Sequence, residues 1–418
     1  MAAARKQIET DSSGGAGERR ILGEVTRVSI DGRDRDMTVV VATTPREIAG
    51  HVAAWESLVE SAIEPNVFYE PWMLIPAVNH LRGRDDPRFV FIYTADAARP
   101  AGPPLLCGLF PLARARRGLG LVNSLRTWKH LHCFLCTPLV RDGYAEECLE
   151  AFFEWLTRKP FGCSLMEFGS VAGDGAFHRL LVDYFFRHGA MNFVADRHTR
   201  ALFRPAEDAE SFLRSSLGGA RRKKLARALK KLAASGRTEF STLEESGNLE
   251  AWMEELMRLE ASGWKGRSGT AISCNESEQR FFTEISEAAY RRGSLRAIEL
   301  RLDGRPIALE WYFVTRNGSF AFKTAFDERF SNYSPGVLLQ IERVRRLHAV
   351  PDVEWMDSCA VSDSHLNHLW RDRRVIESIV VGAGGKSGDF LIAMMPLLRW
   401  VARKMRVNRV SSRRGKSK

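Results

Sequence analysis

The chain has 418 residues, 44% of them hydrophobic, which is enough for two domains with ample cores. Its formal net charge of +11 is unevenly spread: residues 386–418 hold ten Lys/Arg against Asp389 alone and so carry +9 of it. The basicity is therefore a tail rather than a nucleic-acid groove, and no run approaches the ~18 apolar residues that a membrane-spanning helix needs.

Residues 1–36 mix Gly, Ser and charges of both signs without periodicity, so disorder is expected there. Residues 1–20 also lack the apolar core of a signal peptide. Order is expected from the strand MTVVVAT (37–43), followed by an amphipathic helix over 49–62 and an aromatic-rich stretch leading into a second helix. Residues 88–95 and 104–118 read as paired strands around a Pro/Gly turn, and GLVNSLRTWKHLHCF leads into an irregular stretch instead of a Ser-Pro-Gly helix start. A helix (YAEECLEAFFEWLTR), a strand (SLMEFGSV), a helix and a less clear strand (MNFVADR) close this half. The seven cysteines, an odd number, indicate reduced thiols and hence a cytoplasmic protein. Cys133 and Cys136 form a CxxC beside His130 and His132, but no second pair sits at ligand spacing, so no metal is expected.

The second half opens on a basic helix, FLRSSLGGARRKKLARALKKLAASG (212–236), whose apolar stripe is Leu225, Leu229 and Leu232. It is either the solvated face of a linking helix or a wall for an anionic substrate. A further helix then delivers Trp264-Lys265-Gly266 into a Ser/Gly-rich loop. Residues 296–327 alternate apolar and polar residues and break at Asp303-Gly304 and Asn317-Gly318, the pattern of an antiparallel meander. The next residues read as a helix start, with Ser334 as N-cap, Pro335 in the first turn, then Gly336 and Val337. Free N–H groups and the helix dipole make that corner suited to phosphate.

Strict alternation with a two-residue turn at Asn317-Gly318 would place Glu310 diagonal to Lys323 on one face. That pair is either a structural ion pair or a functional one, with Glu310 or Asp327 accepting a proton and Lys323 holding an anionic or carbonyl group. Trp311 shares the middle strand with Glu310, and Asp357 ends the strand VEWMD, where it either faces a ligand crevice or caps the next turn.

The order of these pieces resembles the GNAT acyltransferase superfamily, and more narrowly its CelD/BcsL-type (cellulose and exopolysaccharide biosynthesis) and Fem-type branches. The segments that carry the resemblance are ASGWKGRSGTAI, LDGRPIALEWYF, TAFDERFSNYSPG and WMDSCA. Because the strand and helix order of the second half repeats that of the first, two tandem GNAT-like domains are expected. The expected fold class is α/β (α+β), each domain a mixed, mainly antiparallel sheet flanked by helices. The boundaries are a disordered 1–36, domains at 37–204 and 205–385, and a basic amphipathic tail at 386–418.

The resemblance implies acetyl-CoA or another acyl-CoA as co-substrate, docked at Ser334, Pro335, Gly336 and Val337. It sets Trp264, Lys265 and Trp311 on the acceptor side, and Glu310, Lys323, Asp327 and Asp357 as candidates for the chemistry. The implied function is transfer of an acyl group to an amine or hydroxyl of a sugar- or envelope-related acceptor, a small molecule or glycan. Two alternatives remain: a Fem-type transferase using aminoacyl-tRNA, the one case with a nucleic-acid partner, and a non-catalytic scaffold for an anionic ligand. The C-terminal tail, apolar at helical spacing and basic elsewhere, either packs on the second domain or touches the inner membrane as a peripheral anchor, and Pro396 should kink or divide it.

Overall fold

The computed structural model describes residues 23–29, 36–95, 102–117, 122–158, 160–206, 208–348, 353–384, 387–397 and 400. The first half contains β1 (Glu24–Ser29), β2 (Asp36–Ala42), α1 (Pro45–Gly50), α2 (Val52–Ser61), α3 (Pro71–His80), β3 (Arg88–Thr94), β4 (Leu105–Arg117), β5 (Val122–Thr127), β6 (Leu139–Val140), α4 (Ala145–Thr157), β7 (Leu165–Ala172), α5 (Ala176–Arg187) and β8 (Asn192–Phe203). The second contains α6 (Ala209–Ser216), α7 (Gly219–Ser235), β9 (Thr238–Thr242), α8 (Leu243–Ser246), α9 (Leu249–Ser262), α10 (Trp264–Arg267), α11 (Glu276–Arg291), β10 (Leu295–Leu302), β11 (Arg305–Val314), β12 (Gly318–Phe326), α12 (Pro335–His348), β13 (Trp355–Asp357) and β14 (Asp372–Gly382).

One expectation changes here. Within the segment expected to be disordered, Glu24–Ser29 forms an edge strand on β2, because its alternation buries Val28. The segment after β4 supplies β5, the third strand of the first meander, and then runs irregularly to β6. Residues 1–22 and 30–35 lie outside the described residues.

All the strands except β6, which hangs off β4, join one sheet in the order β1-β2-β3-β4-β5-β7-β14-β8-β13-β12-β11-β10-β9. Its parallel neighbours are β5 with β7 and β12 with β13, one such pair in each half. The halves exchange their last strands: β8 pairs with β13 and β14, while β14 inserts between β8 and β7. A cut at 204/205 therefore divides the chain without dividing the sheet. A buried clamp pins the exchange. Asp357 on β13 accepts hydrogen bonds from Arg200 on β8 (2.6 Å) and Arg374 on β14 (2.9 Å).

One face of the sheet carries a single apolar layer that crosses both halves, from Trp55 and Phe68 to Phe282 and Phe320. On the other face α4 and α5 cover the first half and α7 and α12 the second. Burial of this extent is the main stabilising term.

Candidate functional site

The site begins where β12 and β13 part. They pair in parallel only from Gly318/Trp355 to Phe320/Asp357, so the flank of β12 from Ala321 to Phe326 that faced β13 has no strand partner. Such a flank offers a row of N–H and C=O groups to an extended ligand. Beyond β13 the backbone turns at Cys359, a left-handed residue (φ 50°), and leaves the sheet.

The chain leaving β12 forms a 3-10 turn (Glu328–Tyr333) and enters α12 through Ser334. Ser334 is left-handed (φ 54°) rather than extended as an ordinary N-cap would be, and its carbonyl accepts from the N–H groups of Val337 and Leu338. Pro335 takes the first helical position, as expected. A methyl placed on Gly336 would meet only Phe326 Cδ1, at 3.7 Å, so the space before this corner is open.

The expected alliance of Glu310 with Lys323 does not form, for two reasons in the backbone. Four residues separate Val314 from its partner Ser319 where a two-residue turn was expected, which moves the register by two and preserves the faces. A bulge then makes Phe322 an extra residue between Lys323, opposite Trp311, and Ala321, opposite Tyr312. A one-residue slip reverses the faces beyond it. Glu310 consequently points at α12, where it accepts from Arg343 (2.5 Å) and Gln340 (2.9 Å). Burial pushes its carboxyl above the usual carboxylate range while Arg343 pulls it back, and Arg343 is itself lowered by burial. Trp311 is fully buried against Phe282, away from any surface a substrate reaches.

Lys323 emerges on the opposite face and joins a group of charges drawn from both halves. Its Nζ lies 3.9 Å from Glu260 on α9, and Glu260 also accepts from Lys265 Nζ (2.5 Å) and the Ile272 N–H (2.8 Å). On α11, Glu278 lies 3.0 Å from His132 Nε2, so a first-half loop reaches the site. Burial lowers Lys323 and raises Glu278. Burial, then Lys323, brings His132 down to about 2, so it is a neutral imidazole. The side chains of Lys323, Glu278 and Lys265 are 12%, 14% and 26% exposed, so the group opens to solvent.

Lys265 and Trp264, expected in a loop, sit on the single helical turn α10, and Trp264 is 61% exposed. They line a small cleft with Glu260, Thr324, Ala325, Phe326 and Glu328. A side chain at Gly266 would strike the Ala261 carbonyl, so only glycine lets this turn pack on α9. Asp327 caps the 3-10 turn and is bound by Arg329 (2.6 Å), which holds its carboxyl below the usual range. Asp357 is consumed by the Arg200–Arg374 clamp. Cys133 and Cys136 are buried with sulfurs 3.6 Å apart, and no three metal-binding side chains converge among the described residues.

Sequence reasoning missed Glu260, Glu278 and His132 as site residues. One signal was available: Glu260 extends the buried stripe Trp252, Met253, Leu256 and Leu259 of α9. An acid at a core position needs partners.

Residues 219–363 match the family model of an acetyltransferase (GNAT) domain. No curated protein matches the chain in sequence. Among solved structures the chain is similar to FemX, with a TM-score of 0.51, 11% identity, 79% of this chain and 95% of that chain covered. It is likewise similar to a conserved protein of unknown function from Bacteroides thetaiotaomicron VPI-5482, with a TM-score of 0.50 at 9% identity, 79% of this chain and 97% of that chain covered. Identities this low establish a shared fold. No described helix is long and apolar enough to cross a membrane.

Proposed function

We propose that the second half transfers an acyl group from acyl-CoA to an amine or hydroxyl, with the first half completing the acceptor side. The observation that carries this reading is the open flank of β12 lying between the α12 N-terminus and the Lys265–Glu260–Lys323–Glu278–His132 group. The co-substrate fits: Gly336 leaves room for a pyrophosphate at the helix start, and the unpaired flank accepts an extended amide chain. When bound, it supplies an activated acyl group.

The protein's own residues then have separable tasks. Glu278 accepts the proton that the acceptor releases, and His132, held neutral, donates its Nε2–H to orient that carboxylate. Lys323 opposes charge developing on the acyl oxygen, and Glu260 fixes both lysines. Glu310, Asp327 and Asp357 are structural in this reading. The α7 helix exposes Arg222, Lys223, Lys224, Arg227, Lys230 and Lys231 and packs against the turn that precedes α12. That basic surface favours a phosphate-bearing acceptor, such as a nucleotide-linked or envelope precursor. It equally suits aminoacyl-tRNA, which is the second reading.

Glu278→Gln tests the assignment. Thiol release from acetyl-CoA with an acceptor panel should fall on the order of 100-fold while calorimetric acetyl-CoA affinity stays constant. Retained turnover removes Glu278 from the chemistry. Failure of acetyl-CoA to bind at all, with stabilisation by charged tRNA, replaces the first reading by the second.

A further inference from the structure

Two segments of the chain concentrate positive charge. Every Lys and Arg of the C-terminal tail lies outside the described residues. The described part, 387–397, is a helix that Pro396 does not divide and that packs on Leu165, Val380 and Phe193. The other segment is α7, described throughout. It holds seven cations between Arg221 and Lys231 and no acid, while Leu225, Leu229 and Leu232 turn one stripe into the core. None of the seven pairs with a carboxylate among the described residues. On α12, by contrast, Arg343, Arg345 and Arg346 are each bound by a glutamate. Like charges at i and i+4, such as Lys223 with Arg227, cost the helix stability, and an anion beside them offsets that repulsion.

Position identifies the anion. At its start α7 lies by His365, whose imidazole burial and then the Arg221 charge bring below its ordinary value. At its end Gly236 and Arg237 meet Asp303, in the turn between β10 and β11. It packs as well against the 3-10 turn that leads into α12. The strands run β13-β12-β11-β10 across the sheet and His365 follows β13, so the first half of α7 is the half nearest the β12–α12 corner. That corner offers N–H groups but no cation of its own: Phe330 to Glu342 contains no Lys or Arg, and Arg329 is taken by Asp327. Acyl-CoA carries, besides its pyrophosphate, an adenosine 3′-phosphate of roughly −1.5 to −2 charge at pH 7. We propose that the cations at the start of α7, Arg221, Arg222, Lys223 and Lys224, form a charged rim that holds this 3′-phosphate. The inference rests on the acyl-CoA reading above and adds to it the means of telling coenzyme A from its dephospho form. Lys230 and Lys231, toward the other end of the helix, remain for the acceptor.

Coenzyme A and 3′-dephospho-coenzyme A are titrated into the full chain by calorimetry. The expected result is binding of coenzyme A about tenfold or more tighter at low salt, a preference that shrinks as salt is added. The quadruple variant Arg221→Gln/Arg222→Gln/Lys223→Gln/Lys224→Gln should bring the two affinities within about threefold of each other. It should bind the dephospho form about as the native chain does, which also reports that the fold is kept. The double variant Lys230→Gln/Lys231→Gln should retain the full preference. Equal affinity of the native chain for the two ligands overturns the proposal and leaves the acyl-CoA reading standing, and so does a preference that survives the quadruple variant. Binding of neither ligand removes that reading and the proposal with it.

Discussion

The two parallel strand pairs of this sheet part in the same way, and only one leaves an opening. In the first half β5 and β7 pair through Arg126 and Glu167 and then diverge, and Ser170 beyond them is left-handed (φ 51°), as Cys359 is beyond β13. There the gap is filled by the chain's own loop. Cys136 donates its N–H to the Ser170 carbonyl, Thr127 exchanges hydrogen bonds with Gly169, and Thr137 accepts from Ala172. In the second half the loop after β12 folds upward as a 3-10 turn, and the flank stays unpaired. Two residues before the left-handed position the first half has Phe168, buried in its core, and the second has Asp357. The same backbone thus serves as a packed core in one half and as a candidate cleft, anchored by a buried ion cluster, in the other.

The largest break in this comparison is expected at the clamp. Asp357→Leu leaves Arg200 and Arg374 buried without their acid and should cost about 3–5 kcal/mol in denaturant unfolding. Phe168→Leu, which removes no charge, should cost less, about 1–2 kcal/mol. The pH dependence follows in sign. Burial alone would raise the Asp357 carboxyl, but the two arginines hold it below the usual range. Its stabilisation is therefore complete above the unfolded value near ~3.9 and drains away as pH falls through the folded one. The acid limb of the stability curve should be steeper in the native protein than in Asp357→Leu.

A middle-sized effect is expected at the open corner. Gly336→Val should keep the fold, within about 1 kcal/mol, because a Cβ at this position meets only Phe326, at ordinary contact distance. It should also weaken coenzyme A binding on the order of tenfold or more, read by calorimetry, because it fills the space that a pyrophosphate would take. Unchanged affinity in a folded variant moves the dock elsewhere. The smallest effect should come from Ser170→Gly and Cys359→Gly. Each relieves a left-handed backbone worth roughly 1 kcal/mol but gains unfolded-state entropy of similar size. Both changes in melting free energy should stay within about 1 kcal/mol and match each other, if the two turns are equivalent.

Much of the fold was legible because it is written in local pattern. The Asp303-Gly304 turn adopts positive φ at both residues (49° and 75°), as an Asp-Gly hairpin requires. The helix after Ser334 starts where Pro335 sets it. The facing of residues beyond Phe322 was not legible, since a bulge leaves no mark in alternation, and that single inserted residue moved Lys323 from the Glu310 side to the Glu260 side. His132 and Glu278 were illegible for a different reason. They lie 146 positions apart and meet only because the two halves share one apolar face. The strand exchange was hidden as well, because alternation fixes a strand's faces but not its neighbours.

That exchange also sets an order on the making of the protein. The strand that lies against β7 is β14, and it is synthesised only after nearly the whole second half has left the ribosome. Until residues 372–382 emerge, the nascent first half presents β7 with an unpaired flank and an uncovered Leu165, and β8 has neither of its neighbours. Completion of the first half is thus a late event, and the growing chain carries a sticky edge through about half of its translation. A ribosome stalled in the second half releases an aggregation-prone sheet rather than a finished domain.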